Sequence, residues 1–260
     1  MPFAFKFKHQ IVAAQLDAPA DFLKRFARES RRVPPDSLLR WQTGAGISGP
    51  VVLKSGSGHT NFVADGDVIR GQTRYATDDY QEPTAWETRG AYSRHRLQAL
   101  FQIIEQAGGM PMMLAVTHVA ACPIAKVDGA SVRQQIAHGL GILDVLNSRT
   151  APWDFTLRSG RPVGNDCFLS VQVAWYQTRS FTVVPRPGQP TTIREWEGHV
   201  DEEGIELRFD FNNKLALFSG RVDSTGSQII EAVDSAQNAL PGEFEHVCAV
   251  LERAIIPVRS

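Results

Sequence analysis

The chain has 260 residues, of which 43% are hydrophobic and 21% are charged, and its formal net charge is −1. This near-neutral balance argues against a general attraction to nucleic acid or acidic membranes, and no apolar run is long enough to span a membrane. The three cysteines lack the spacing of a disulfide framework, which predicts reduced thiols. We therefore expect a soluble, cytoplasmic protein, and the preference for arginine over lysine indicates a bacterial source.

In the N-terminal half, hydrophobic periodicity predicts a mixture of strands and helices. Asp65-Gly66 lies between two short apolar runs, which predicts a β-hairpin on a type I′ turn. The apolar run at 110–119 is typical of a central strand that is buried on both faces. Strands are predicted at 3–12, 51–53, 61–64, 67–70 and 110–119, and helices at 21–32, 84–106 and 131–147.

The C-terminal third has the clearest strand pattern. Four apolar residues, Ile205, Leu207, Phe209 and Phe211, alternate with three charged ones, which predicts a strand with one buried face. Asn212-Asn213 then predicts a turn into a return strand at 214–218. A loop is expected at 149–166, a hairpin turn at 201–204, further strands at 168–176, 180–184 and 191–200, and closing helices at 227–240 and 242–255, separated by Pro241.

This order of elements predicts an α+β fold. We expect antiparallel sheets with long helices packed on one face. Two similar packed subdomains are compatible with the order, although no residue-level repeat supports them. The predicted boundary divides an N-terminal α+β subdomain, residues 1–150, from a C-terminal antiparallel sheet with two closing helices, residues 151–260.

No recognisable cofactor or metal motif survives a test of its context. Residues 44–49 match G-x-G-x-x-G, but a strand follows the glycines where a dinucleotide site requires a helix. The glycine-rich segment at 54–59 lacks the spacing of a phosphate-binding loop. His118 and Cys122 are about 13 Å apart if both lie in one strand, which is too far to share a zinc ion. We therefore predict no cofactor and no metal.

A catalytic set assembled from distant parts of the chain leaves no local motif. The weak candidates for such a set are titratable residues scattered through the N-terminal half. They are His59, Asp65, Asp67, His95 and His118.

Two groups of residues are candidates for a binding surface. The helix predicted at 21–32 carries the strongest local charge bias in the chain, and Arg25, Arg28 and Arg32 share one of its faces. The start of the helix predicted at 84–106 combines aromatic and cationic residues that would suit a recognition surface, namely Tyr80, Trp86, Arg89 and Tyr92. A solvated helix face and packing against a sheet are the alternatives.

We favour a non-enzymatic protein-binding function, as an adaptor, assembly subunit or immunity-type inhibitor. The expected partner is another protein or a second copy of the chain, without a membrane. Nucleic acid is disfavoured, although the basic helix leaves it open. The alternatives are a hydrolase or phosphate-acting enzyme that uses the dispersed histidines and aspartates, and a small-ligand-binding domain with a pocket under the C-terminal sheet.

Overall fold

The computed structural model describes residues 5–32, 39–42, 50–55, 60–74, 86–124, 131–147, 149, 154–164, 166–180, 199–220 and 226–255. Nine strands lie within these ranges: β1 Lys6–Asp17, β2 Leu39–Gln42, β3 Val51–Ser55, β4 Thr60–Asp65, β5 Val68–Arg74, β6 Met110–Pro123, β7 Thr156–Val163, β8 Cys167–Ser180 and β9 His199–Asn212. Six helices accompany them: α1 Phe22–Ser30, α2 Trp86–Gln106, α3 Val132–Gly139, α4 Ile142–Val145, α5 Lys214–Phe218 and α6 Gly226–Ile255.

All nine strands form one sheet in the order β2-β3-β4-β5-β1-β6-β9-β8-β7. Every neighbouring pair is antiparallel. The strands before residue 150 therefore join those after it through backbone hydrogen bonds between β6 and β9. The boundary between an N-terminal subdomain, residues 1–150, and a C-terminal subdomain, residues 151–260, stays a prediction.

The predicted fold class is wrong. The expected architecture had several antiparallel sheets with long helices packed on one face, whereas the molecule is mostly one large antiparallel sheet. Only four of the six described helices have seven residues or more. The sequence pattern of several strands was informative, but strands far apart in the chain pair with one another, and local periodicity does not encode which strands become neighbours.

The core lies along one face of this sheet, in two clusters. The first contains Val12 and Ala14 of β1 together with Leu100 and Ile104 of α2. The second contains Leu207 and Phe209 of β9 with residues of α3, α4 and α6. Because successive side chains of a strand point to opposite faces, the residues between these positions project from the other face.

Several strand and helix predictions are confirmed. β9 contains the alternating residues 205–211, all four of whose apolar side chains are buried. β6 is a central strand between β1 and β9. Helices α1 and α2 occupy the predicted segments, and they bury Phe22 and Phe26 of α1 and Leu100 and Ile104 of α2. The hairpin of β4 and β5 is also present, with its turn at Gly66-Asp67, one residue later than expected, and with a φ of +60° at Gly66.

The predicted return strand at 214–218 is wrong, because these residues form α5. The buried side chain of Asn213 pairs with the backbone of β6. Its Oδ1 accepts from the Leu114 N–H at 2.8 Å, and its Nδ2 donates to the Met112 carbonyl at 3.1 Å. The asparagine thus continues the pairing of β9 with β6 past the end of β9, so the chain does not turn back into a strand.

Other boundaries also differ from the predictions. The helix expected at 131–147 breaks into α3 and α4 at Gly141, which has a φ of +68°. The two closing helices are one helix, α6, that continues through Pro241. Strand β7 occupies part of the predicted loop at 149–166, and the predicted turn at 201–204 lies inside β9. The elements or motifs predicted at 44–49, 56–59, 181–184 and 191–198 lie outside the described residues.

Candidate functional site

The face of the sheet opposite the core extends across all the described strands from β3 to β7 in sheet order. We call it the open face, because neither buried cluster includes any of its residues. Strand register places one row of its side chains across eight strands: Lys54, Asn61, Gln72, Ile11, Thr117, Asp210, Ser170 and the Cα of Gly160. Ile11, near the middle of this row, is 38% exposed although it is a large apolar residue.

Three exposed cations lie in or beside this row, on strands β3 and β5 of the open face. We call Lys54, Arg70 and Arg74 the cationic patch. Lys54 is in register with Asn61, which pairs with Gln72, and the two arginines lie two residues before and after Gln72 on β5. Strand spacing therefore separates the three Cα atoms by about 12–14 Å. No ion pair joins any of them to another described residue.

His9 lies beside the cationic patch, directly opposite Arg74. Burial, followed by the positive charge of Arg74, lowers the pKa of the His9 imidazole, and Glu206 acts in the opposite direction. The neutral imidazole is favoured first because burial removes water from the charged form, and second because Arg74 repels a further positive charge.

The C-terminal side of the open face differs because its charges are paired. Arg208 donates to Glu206 at 2.7 Å, and Asp210 accepts from the Thr117 hydroxyl at 3.1 Å. Tyr176 donates to Glu202 at 2.7 Å. Burial and then this hydrogen bond raise the pKa of the Tyr176 phenol. These charges already have partners. Arg158 also lies on this side, and it donates to the neutral Ser170 hydroxyl at 2.8 Å. The cationic patch differs because it brings together three cations that have no described ion-pair partner.

The arginines predicted to form a binding surface on α1 are exposed but paired within their own helix. Arg25 donates to Asp21 at 2.8 Å, and Arg28 and Arg32 both donate to Glu29, each at 2.8 Å. The hydrogen bond from Arg28 is the main cause that lowers the pKa of the Glu29 carboxyl. A binding role for these arginines stays a prediction, and a partner would have to compete with Asp21 and Glu29.

The structure separates two of the predicted catalytic candidates. Asp65 ends β4 on the open face, and Asp67 lies in the turn that follows. His118 is fully buried on the core face of β6. Counted through the strand register, His118 is three strands across the sheet from Asp65 and five residues along β6 from the position opposite it. This places the two Cα atoms about 20 Å apart. Asp65 and His118 therefore do not share a site.

The remaining predicted residues cannot be placed in a site. His95 lies in α2, one residue before Arg96, but its side chain is outside the described part, as are those of Trp86, Arg89 and Tyr92. His59 and Tyr80 lie entirely outside it. Their roles stay predictions.

A row of buried polar residues crosses the core face, and we did not predict it. Thr60, Thr73, Gln10 and His118 are in register on four neighbouring strands. The two threonine hydroxyls are 3.0 Å apart, and the buried Arg96 of α2 donates to Thr60. The sequence contained a signal, because each polar residue lies an even number of positions from a buried apolar residue of the same strand and so faces the same side. Gln10 is two positions from Val12, Thr60 two from Phe62 and Thr73 four from Ile69.

His118 should make the stability of the protein depend on pH. Burial lowers its pKa to about 3, whereas an unfolded chain has a histidine pKa of about 6.5. The unfolded state therefore takes up a proton that the folded state does not, and stability is lost as the pH falls below about 6.5. Between pH 7.5 and 5.5 this histidine should remove about 1.4 kcal/mol from the free energy of unfolding.

Urea unfolding of the wild type and H118Q at both pH values measures this contribution. The stability difference between the two pH values should be smaller in H118Q by about 1.4 kcal/mol. H138Q, which removes an exposed histidine, controls for the substitution itself. An equal pH difference in the wild type and H118Q would show that His118 is accessible to protons in the folded protein.

A half-open groove of about 230 Å³ lies on the core face, between the edge of the sheet and α6. The sheet side of the groove is lined by two cross-strand pairs, Ser159 with Val171 and Arg161 with Leu169. One turn of α6 forms its other wall, through Glu243, His246 and Val247. An ion pair between Arg161 and Glu243 crosses the groove.

The described residues offer little support for thiol or metal chemistry. Cys122, Cys167 and Cys248 are all buried. Burial raises the pKa of the Cys167 thiol. It raises the pKa of the Cys248 thiol to about 11. Both shifts disfavour the reactive thiolate. In the described ranges, no group of three or more His, Cys, Asp or Glu side chains could hold a metal ion.

No protein-family model matches the chain, and no curated protein matches its sequence. Among the described helices, none is long and apolar enough to cross a membrane.

Proposed function

We propose that this chain is a non-enzymatic protein-binding protein, and that it holds an acidic surface of another protein on its open face. The observation that carries this proposal is the cationic patch: three exposed cations without ion-pair partners among the described residues, next to the exposed Ile11. Exposed apolar area contributes affinity, and unpaired charge selects a partner of opposite sign and speeds association. We also propose a cytoplasmic location and a bacterial source.

The size of the open face supports a protein partner. Strands β3, β4, β5 and β1, which hold the cationic patch and Ile11, cover about 400 Å² in projection, counting all residues of β3, β4 and β5 and seven of β1. A standard protein interface needs about 800 Å² from each partner. The footprint must therefore extend over β6 and β9, where the paired charges Arg208 and Asp210 would form a polar rim.

The enzyme alternative lacks a comparable observation. Asp65 and His118 are far apart and on opposite faces of the sheet. In the described ranges, no group of three or more His, Cys, Asp or Glu side chains could hold a metal ion, and two of the titratable groups that line the described groove, Arg161 and Glu243, are already paired with each other. Binding of single-stranded nucleic acid is also disfavoured, because it uses aromatic stacking platforms. Around the cationic patch, the described open face offers amide, hydroxyl and aliphatic side chains instead.

Site-specific photo-crosslinking in the host cell tests this proposal. A benzoylphenylalanine at position 72, in the middle of the cationic patch, should form a covalent adduct with an acidic protein that mass spectrometry identifies. The triple variant K54E/R70E/R74E should lose this adduct because the added carboxylates repel the partner. Circular dichroism confirms that each variant is folded.

R25E/R28E/R32E is the matched control, since it reverses the same number of charges on α1. It should keep the adduct. Loss of the adduct in this variant alone would move the binding surface to α1, and an adduct that contains nucleic acid would overturn the protein-binding function. The absence of any adduct from position 72 would also contradict the proposal.

A further inference from the structure

The groove between β7, β8 and α6 has an apolar floor and a charged mouth. Leu169 is 1% exposed, and Val171 and Val247 are partly buried around it. The volume of about 230 Å³ corresponds to roughly eight water molecules. A ligand of about nine non-hydrogen atoms would therefore fill the groove.

Two opposite charges meet at the mouth of the groove. Arg161 projects from β7 and Glu243 from α6, and their side chains are 58% and 20% exposed. Ion pairs with this much solvent contact stabilise proteins weakly. A ligand that gives each charge a better hydrogen-bonding partner can therefore separate them at little cost.

We infer that this groove binds a small aliphatic α-amino acid. The ligand's carboxylate pairs with the Arg161 guanidinium, whose planar fork suits two parallel hydrogen bonds. Its ammonium group pairs with the Glu243 carboxylate, and its aliphatic side chain lies on the floor formed by Leu169 and Val171. Leucine, with nine non-hydrogen atoms, has the size and the charge arrangement that the groove requires.

This binding site is independent of the proposed protein-binding surface. The groove lies on the core face of the sheet, and the open face is on the other side of β7. The ring of Phe168 lies directly against Gly160 of β7, because a Cβ atom added at Gly160 would overlap this ring. Phe168 therefore covers β7 between the two surfaces. Failure of one site therefore leaves the other unaffected.

Isothermal titration calorimetry with four probes tests the ligand class on the wild-type protein. L-Leucine should bind, whereas 4-methylpentanoate lacks the ammonium group, 3-methylbutylamine lacks the carboxylate and glycine lacks the side chain. Each of these three should bind at least about tenfold more weakly than leucine, because each loses one of the three contacts. If 4-methylpentanoate binds as tightly as leucine, the amino-acid assignment is wrong.

Two charge-removing variants then locate the site. R161Q and E243Q should each weaken leucine binding about tenfold or more. R158Q is the matched control: Arg158 lies on the same strand but faces the other way, where it donates to the Ser170 hydroxyl at 2.8 Å. R158Q should bind leucine within about twofold of the wild type. Leucine binding that survives both R161Q and E243Q, or no binding of leucine to the wild type, would overturn the inference.

Discussion

Replacing Phe209 by alanine should lower the free energy of unfolding by about 3–5 kcal/mol. Its ring is fully buried, in register with His118 of β6 and Val171 of β8. The ring of Phe244 from α6 lies 6.1 Å away, centroid to centroid. Alanine would leave a cavity that the surrounding strands cannot close, because their backbone hydrogen bonds fix their spacing. Urea unfolding followed by circular dichroism measures the loss.

Phe218→Ala is the control for this experiment. It is the same substitution, but Phe218 lies in α5 with 83% of its side chain exposed. Its replacement should change the free energy of unfolding by no more than about 0.5 kcal/mol. Should F209A be as stable as F218A, the packing of β9 against α6 described above would be incorrect.

The contrast between these two phenylalanines shows what the sequence could predict. Phe209 belongs to a run with strict alternation, so its inward orientation follows from strand geometry alone. Phe218 follows Asn212-Asn213, a pair that locally favours a turn. Its actual structure depends on hydrogen bonds from Asn213 to a strand about one hundred residues earlier. Local rules cannot anticipate a contact at that distance.

The continuation of α6 through Pro241 has a cause that can be read from the sequence in retrospect. Proline inside a helix removes one hydrogen bond and strains the preceding turn. However, Leu240 directly before the proline recurs at helical spacing with Phe244, Cys248 and Leu251 after it, and all four are buried or partly buried. The packing of this apolar stripe stabilises a helix that continues across Pro241.

Little of the candidate site could be predicted. The charged outer side of β9 followed from its alternation, but Lys54, Arg70 and Arg74 lie on two strands whose relation is set by pairing with β4. The groove likewise combines β7, β8 and α6, which are more than sixty residues apart at the extremes. Sequence reasoning placed a pocket under the C-terminal sheet only in general terms, since the positions of Arg161 and Glu243 depend on how α6 packs.

Replacing Gly204 by alanine should destabilise the protein by about 3 kcal/mol. The sequence suggested that this glycine ends a hairpin turn, but it lies within β9, in register with Pro123 of β6 and Tyr176 of β8. A Cβ atom would overlap the carbonyl oxygen of Cys122 and lie 2.9 Å from its carbonyl carbon. The obstacle is backbone, so β6 and β9 would have to separate. That movement would also weaken the 2.9 Å hydrogen bond from the Ile124 N–H to the Glu203 carbonyl.

Gly242→Ala should have the opposite effect, which makes it a stringent control. Gly242 lies in α6 with no atom within 4 Å of an added Cβ, so alanine should stabilise the helix by about 0.5–1 kcal/mol. Thermal and urea unfolding of both variants compare the two glycines directly. A gain of stability in both would mean that alanine is simply the better residue at each position. Opposite signs would establish that Gly204 is required where two central strands approach too closely for any side chain.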